Sequence, residues 1–492
     1  MLLFLIGLVI LVIGYFTYGK FVEKILAPTD NPTPAVRLKD GVDFVELPHW
    51  KNMLIQLLNI AGIGPVIGVI LGIKFGSIVF IILPIGNIIG GAVHDFLAGI
   101  ISIRNNGCNL PKIVEDNLGK HYARFFNAFM SLLLLLVVAV FINIPAALFK
   151  PLFKNVSVEP NTIFWIAVAV IFLYYVVATL FPVDKIIGSI YPVFSIILIL
   201  STLAIFCTLM YKGIYNPEIL TESAAFRLQM FTAEKNSPVI PVLFVTIACG
   251  IISGFHATQS PIIARTMKTE REARSSFYGM MVLEGIIGMI WAGAGMAIYN
   301  LFPQYMLKAP ALVLNDITTY FLGSVIGGIT VIGVIILAIT SGDTAMRSLR
   351  LSVAETFKID QKSLSKRILL CLPLIAVVLG LLYWSNRDAK SFNILWNYFS
   401  WANQILAATT LLAAMVWLIR NGKNFLIAAV PGAFMTFIIF CYILWTDKSK
   451  NGPIGFGLEL EKAYFISALI SLVIVLGLIQ YQVKKLNNPS EK

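Results

Sequence analysis

The sequence predicts an all-α polytopic membrane protein of about 13 transmembrane helices, and three observations carry that reading. The 492 residues are 58% hydrophobic and only 13% charged, with a mean hydropathy of +0.86, more apolar sequence than a water-soluble fold needs. Apolar runs of about 20 residues recur along the whole chain, each long enough to cross a hydrocarbon core of about 30 Å as a helix. The segments do not alternate in the short periods of a membrane barrel, so the spans are helical.

Spans are expected near residues 1–18, 53–72, 77–103, 125–149, 162–181, 186–211, 238–262, 277–300, 323–341, 366–384, 394–418, 424–446 and 462–482. The first run, MLLFLIGLVILVIGYFTYGK, lacks a basic flank and a small-residue cleavage site, so it reads as a span rather than a signal peptide. Of the 37 Lys and Arg residues, about 25 fall in loops after odd-numbered spans and about 12 after even-numbered ones. The positive-inside rule then puts the N-terminus outside and the C-terminus in the cytoplasm, across the cytoplasmic (inner) membrane of the cell. The same asymmetry accounts for the net charge of +12 without nucleic acid. Five scattered cysteines have no metal-ligand spacing, which predicts neither a disulfide framework nor a zinc site. Amphipathic stretches such as CNLPKIVEDNLGKHYARF and GDTAMRSLRLSVAETFKI read as interfacial helices.

Two spans break the rules of helix formation. The second reads NIAGIGPVIGVILG, with Gly62, Gly64 and Pro65; the seventh reads CGIISGFHATQSPII, with Gly254 and Pro261. Gly and Pro so close together free backbone groups, which hydrocarbon penalises unless the opened turn lines a protein-walled cavity. A plain proline kink is the simpler alternative. The doubling of the break, and the polar side chains Ser253, His256, Thr258, Gln259 and Ser260 around the second, point to a binding site with an unwound turn between Gly254 and Pro261.

The breaks lie five spans apart. Residues 53–211 and 212–418 therefore read as two units of five spans in opposite orientation, a 5+5 inverted repeat. Residues 1–52 add one N-terminal span and a cytoplasmic loop, and residues 419–492 two C-terminal spans and a short tail. Broken helices that meet near the midplane of inverted repeats are the binding device of secondary transporters.

The blocks GPVIGVILG, GAVHDFLAGIISIRNNG, SGFHATQSPIIAR, FYGMMVLEG, ITSGDTAMRSLRL and WNYFSWANQ resemble, in order, the signature blocks of the carbon starvation protein CstA family, over about residues 53 to 405. The chain resembles a short form, without the longer C-terminal extension and with an abbreviated first loop. The resemblance implies a LeuT-type fold and transport of peptides or pyruvate.

Ionisable residues inside apolar spans are functional candidates by default. His94 and Asp95 lie within the third span and Glu284 within the eighth, and these three are the proton-coupling candidates. Adjacent helical residues diverge by about 100°, so His94 and Asp95 are expected to face different neighbours, with a basic partner that merely fixes packing as the alternative for Asp95. A structural tie to Arg265 or His94 is the alternative for Glu284. Thr340, Ser341 and Thr344 bring hydroxyls to the end of span nine, where with Gly62 they form a candidate Na+ site of oxygen ligands, a location the LeuT-type resemblance also implies; back-bonding to their own helix, with Asp343 and Arg347 an ordinary helical pair, is the plainer reading. Asn403 and Gln404 are candidates for reading a carboxylate or peptide bond while Trp401 closes the site, with an ordinary interfacial aromatic as the alternative for Trp401.

The expected function is cation-coupled uptake of small peptides or pyruvate-like carboxylates, a symport driven by H+ or Na+. The alternative is a sensor or receptor for such a metabolite without net transport. No nucleophile–base pair or metal motif suggests an enzyme, and the expected partners are a small-molecule substrate and membrane lipid, with no cofactor, no nucleic acid and the oligomeric state open.

Overall fold

The computed structural model describes residues 1–41, 43–62, 64–153, 157–180, 183–221, 238–308, 310–359, 361, 363–387, 389–447 and 455–487. Long apolar helices dominate it, because intrahelical bonds satisfy the backbone where no water is present. In chain order they are α1 (Leu2–Leu26), the bent pair α2 (His49–Ile60) and α3 (Gly64–Phe75), α4 (Val79–Arg104), α5 (Lys120–Lys150), α6 (Pro160–Ala178) and α7 (Tyr191–Tyr215). A second broken pair follows, α8 (Phe244–Ile251) and α9 (Gly254–Ala264). The rest are α10 (Glu270–Leu301), α11 (Ala311–Ala354), α12 (Leu364–Ser385), α13 (Ile394–Arg420), α14 (Leu426–Trp445) and α15 (Leu460–Asn487).

Among the described residues, 11 of these helices are long and apolar enough to cross a membrane, and 12 crossings result when α2 and α3, bent by 53°, count as one. The chain is a multi-pass membrane protein. Position 181, at the end of the expected fifth span, lies outside the described residues.

Burial separates the inner helices from the outer ones. The most apolar windows of α10 and α13 are 89% and 94% buried, whereas that of α15 is 22% buried and that of α1 28%. The core is built around α10, whose small residues allow close packing. α10 packs on α2, α3, α4 and α7.

The connections fall on two faces. On one, the segment 27–47 crosses under α9 and α10: the Thr29 amide and hydroxyl donate to Glu270 at 2.6 and 2.9 Å. The amides of Val45 and Leu47 donate to the carbonyls of Arg265 and Thr266, and Arg104 Nε donates to Glu270 Oε1 at 2.6 Å. Lys423 Nζ reaches the Ile25 carbonyl at 2.9 Å on this same face. Asp30 pairs there with Arg271, whose hydrogen bond holds the exposed carboxyl below its ordinary range. On the other face the Met1 ammonium bonds the Leu220 carbonyl at 3.1 Å, Asn300 bonds the Ile219 carbonyl at 2.9 Å, and Lys74 the Met306 carbonyl at 2.6 Å. Contacts around residues 27–47, 104, 265–271 and 423 thus mark one face, and those around residues 1, 74, 219–220, 300 and 306 the other.

Span nine is longer than its apolar pattern predicts. The helix runs from Pro310 to Thr356 with one interruption at Gly323, where φ is +75° and ψ 179°. That backbone conformation is open to glycine and strained for other residues, so the part before Gly323 folds away from the span proper.

Candidate functional site

The first break follows Ile60. Ala61 has ψ of 51°, which ends α2, and α3 begins at Gly64 with Pro65 in its first turn, where a missing amide is least costly. Ile63, between them, lies outside the described residues.

The second break falls at the start of the expected stretch 253–260, and the rest of that stretch is not unwound. Ile252 (φ −159°, ψ 122°) and Ser253 (φ −128°, ψ 126°) are extended, and Gly254–Ala264 is continuous helix with Pro261 inside it. The cause is a cap supplied from far along the chain. Asn403 Oδ1 accepts from the Phe255 amide at 2.8 Å, and Asn403 Nδ2 donates to Ser253 Oγ at 2.8 Å. This satisfies one of the orphan donors that any helix start exposes.

The breaks are joined by close packing. α8 packs on α3, α9 on α2, α4 and α13. A Cβ at Gly254 would stand 2.4 Å from the Asn403 carbonyl oxygen, and one at Gly91 1.8 Å from that of Ile251. Glycine at these two positions is what lets α13 and α4 touch the broken span. The His256 ring lies against the Ile60 carbonyl, which at the first break accepts from the Gly62 amide at 2.7 Å.

Four ionisable side chains gather here. His94 Nδ1 and Asp95 Oδ1 are 2.8 Å apart. Asp95 Oδ2 is 3.2 Å from His256 Nδ1, and His256 Nε2 is 3.8 Å from Glu284 Oε1. All four are at most 1% exposed. The expectation that His94 and Asp95 face different neighbours is corrected in part: Asp95 turns to α9, but His94 bends back to bond it. The partner of Asp95 and of Glu284 is His256, not a loop arginine. Both Glu284 oxygens lack a hydrogen bond among the described residues. Buried charge is tolerated when paired, so the cluster holds together through His256.

The remaining candidates occupy several surroundings. Gln259 Nε2 donates to Thr258 Oγ1 at 2.8 Å, and Thr258 and Ser260 bond back to the carbonyls of Phe255 and His256. Gln404 is fully buried, and neither end of its amide has a partner among the described residues. Trp401 donates its indole hydrogen to the Ile439 carbonyl at 3.0 Å and packs toward α14. Thr340, Ser341 and Thr344 bond carbonyls of their own helix, and Ser341 also reaches the Leu58 carbonyl at 3.3 Å. A Cβ at Gly62 would be 3.1 Å from Ser341 Oγ, so the first break and span nine do adjoin. Asp343 accepts from Tyr174 at 2.6 Å.

Two residues that no motif singled out belong to this region. Gln56 and Asn59 of α2 are fully buried, and both ends of each amide are unpaired among the described residues. The signal was present as the spacing of Asn52, Gln56 and Asn59, which places three amides on one face of an apolar helix.

Comparison with known proteins fits this architecture. A Haemophilus influenzae chain known as an uncharacterized membrane protein is 38% identical over 346 residues, covering 61% of this chain and 92% of its own length. The peptide transporter CstA of Bacillus subtilis is 27% identical over 332 residues, covering 57% of this chain and 55% of its own. The chain thus spans about half the length of the curated peptide transporters it matches. The crystal structure of the Eremococcus coleocola manganese transporter superposes with a TM-score of 0.51 at 13% identity, covering 92% of this chain and 98% of that one, a likeness of fold alone. The family model for carbon starvation protein CstA matches residues 1–168, 150–320 and 311–441, nearly the whole of the membrane region, and the chain belongs to that family.

Proposed function

We propose that the protein is a secondary active transporter, a symporter that takes up small peptides or pyruvate-like carboxylates with a coupled cation. The observation that carries this reading is the fully buried cluster of His94, Asp95, His256 and Glu284 at the meeting of two broken spans. Two imidazoles and two carboxylates in contact can gain or lose a proton without leaving an isolated charge, which is what a coupling site inside a membrane must do. The peptide transporter names of the matched relatives support the substrate class.

In this reading the fold is the LeuT-type 5+5 inverted repeat. The segment from Val239 to Ala264 supplies a thirteenth crossing, since Tyr464 bonds the Ile240 carbonyl near one face and Arg265 meets Gly107 on the other. The face bearing the 27–47 segment is cytoplasmic, with the N-terminus outside and the C-terminus inside. The near-complete burial of Ser253, His256, Gln259, Asn403 and Gln404 corresponds to a closed stage of alternating access. The coupling ion in this reading is a proton, carried by the buried cluster, or sodium, held by the hydroxyl oxygens of Thr340, Ser341 and Thr344, which keep lone pairs free while they donate to helix carbonyls.

Uptake of labelled alanylalanine and pyruvate into proteoliposomes, under an imposed proton gradient or sodium gradient, tests the proposal. Accumulation above equilibrium driven by either gradient supports it. Specific binding without accumulation overturns it in favour of a receptor.

A further inference from the structure

α2 and α9 lie side by side and antiparallel, tied at both ends. At one end Asn52 Nδ2 donates to the Thr266 carbonyl at 3.1 Å, while Thr266 Oγ1 donates back to Asn52 Oδ1 at 2.7 Å. At the other the His256 ring meets the Ile60 carbonyl. Gln56 and Asn59 follow Asn52 at i+4 and i+7, on the helix face that Asn52 turns to α9. Gln259 stands on α9 between the two ties.

This strip is polar and buried, and its amides lack partners among the described residues. Gln56, Asn59 and Gln259 are 0% exposed. Gln56 and Asn59 each leave both amide atoms unpaired among the described residues, and Gln259 leaves its Oε1 unpaired. Buried amides are nearly always paired in a finished interior, so a run of open ones marks a place where something else binds.

The open atoms define what fits. Gln56 and Asn59 offer N–H donors, and all three residues offer carbonyl acceptors. A bare cation satisfies only the oxygens, and a 2-oxo carboxylate only the nitrogens. A peptide group has both an N–H and a C=O and satisfies both sets. Exchanging the oxygen and nitrogen of either amide leaves the same set of open atoms, because both ends of Gln56 and of Asn59 lack partners among the described residues.

We propose that Gln56 and Asn59 of α2, with Gln259 of α9 between the same two ties, form a subsite that holds a ligand's peptide group by its N–H and its C=O together, and so determines specificity for amide-bearing over acceptor-only ligands. The inference rests on the reading of the broken-span junction as the transport site.

The test uses the full-length protein in detergent, with binding read by calorimetry. The probes are alanylalanine, alanylsarcosine, whose methylated peptide nitrogen carries no hydrogen, and pyruvate. Alanylalanine should bind about tenfold more tightly than alanylsarcosine, a factor that corresponds to about 1.4 kcal/mol. Alanylglycine, which differs from alanylsarcosine only in bearing hydrogen in place of the methyl on the peptide nitrogen, should also bind more tightly than it, and this pair isolates the peptide N–H. Gln56→Met and Asn59→Leu, each checked for an unchanged elution profile, should reduce that preference to within about twofold. Equal binding of alanylglycine and alanylsarcosine by the unaltered protein means the amides hold only buried water, and overturns the subsite. So does binding of pyruvate alone, or a preference that survives both substitutions. Uptake of alanylalanine into proteoliposomes is scored separately: selective binding without uptake overturns the transporter reading and leaves the subsite standing.

Discussion

His256 Nε2 lies 3.8 Å from Glu284 Oε1, on a different helix and with neither side chain more than 1% exposed. At that distance the pair is in ionic contact but short of a direct hydrogen bond, so Glu284 keeps two unpaired oxygens beside an imidazole. If Glu284 carries the coupled proton, Glu284→Gln should abolish gradient-driven uptake of alanylalanine and leave counterflow exchange intact, because exchange moves no net proton. Loss of both activities in a folded protein would assign Glu284 to structure.

His256 contacts both carboxylates and so links the Asp95 side of the cluster to Glu284. His256→Gln should therefore impair gradient-driven uptake as severely as Glu284→Gln. Retention of coupled uptake in this variant would show that proton transfer runs through His94 or bypasses the cluster.

Asn403 holds the start of α9 through the Phe255 amide and Ser253. Asn403→Leu leaves a buried amide N–H and a hydroxyl unpaired, a loss of about 1–3 kcal/mol. The expected result is a lower melting temperature in detergent, with weaker substrate affinity because the break itself loosens. An unchanged melt would contradict the capping role.

Gly254→Ala places a methyl group 2.4 Å from a backbone oxygen and 2.5 Å from a backbone nitrogen of α13. Neither atom can rotate away, so α9 and α13 must separate, at about 1–3 kcal/mol. Gly380→Ala, at a position with nothing within 4 Å, is the control and should melt as the parent protein does.

Glu270 is 3% exposed and accepts from Arg104 and from the Thr29 amide and hydroxyl. Glu270→Ala should release residues 27–47 to limited proteolysis at their Lys and Arg residues, with little change in the melt of the helical core. Resistance equal to that of the parent protein would mean the backbone bonds at Val45 and Leu47 suffice.

The sequence made some of this site visible and hid the rest. His94, Asp95 and Glu284 stood out because ionisable groups are rare in apolar spans, and the two breaks because Gly and Pro cluster there. Their meeting through His256 depends on how α4, α9 and α10 pack, which no local pattern encodes. The extent of the second break was hidden for the same reason: Pro261 suggested an interruption that α9 absorbs, so the break is confined to Ile252 and Ser253, and the cap that fixes it comes from Asn403, about 150 residues away. Gln56 and Asn59 passed as ordinary polar residues near a span end, since only burial without partners distinguishes them.

The segment 27–47 is stitched to residues 265–270 by backbone bonds, by the Pro32–Thr269 bridge and by Glu270. Any swing of α9 during a transport cycle therefore drags that strap along as a rigid outrigger. A fluorophore or spin label on an exposed strap residue such as Lys39 would thus act as a pointer for a helix that no probe can reach directly. The amplitude of its motion would report how far the closed junction opens.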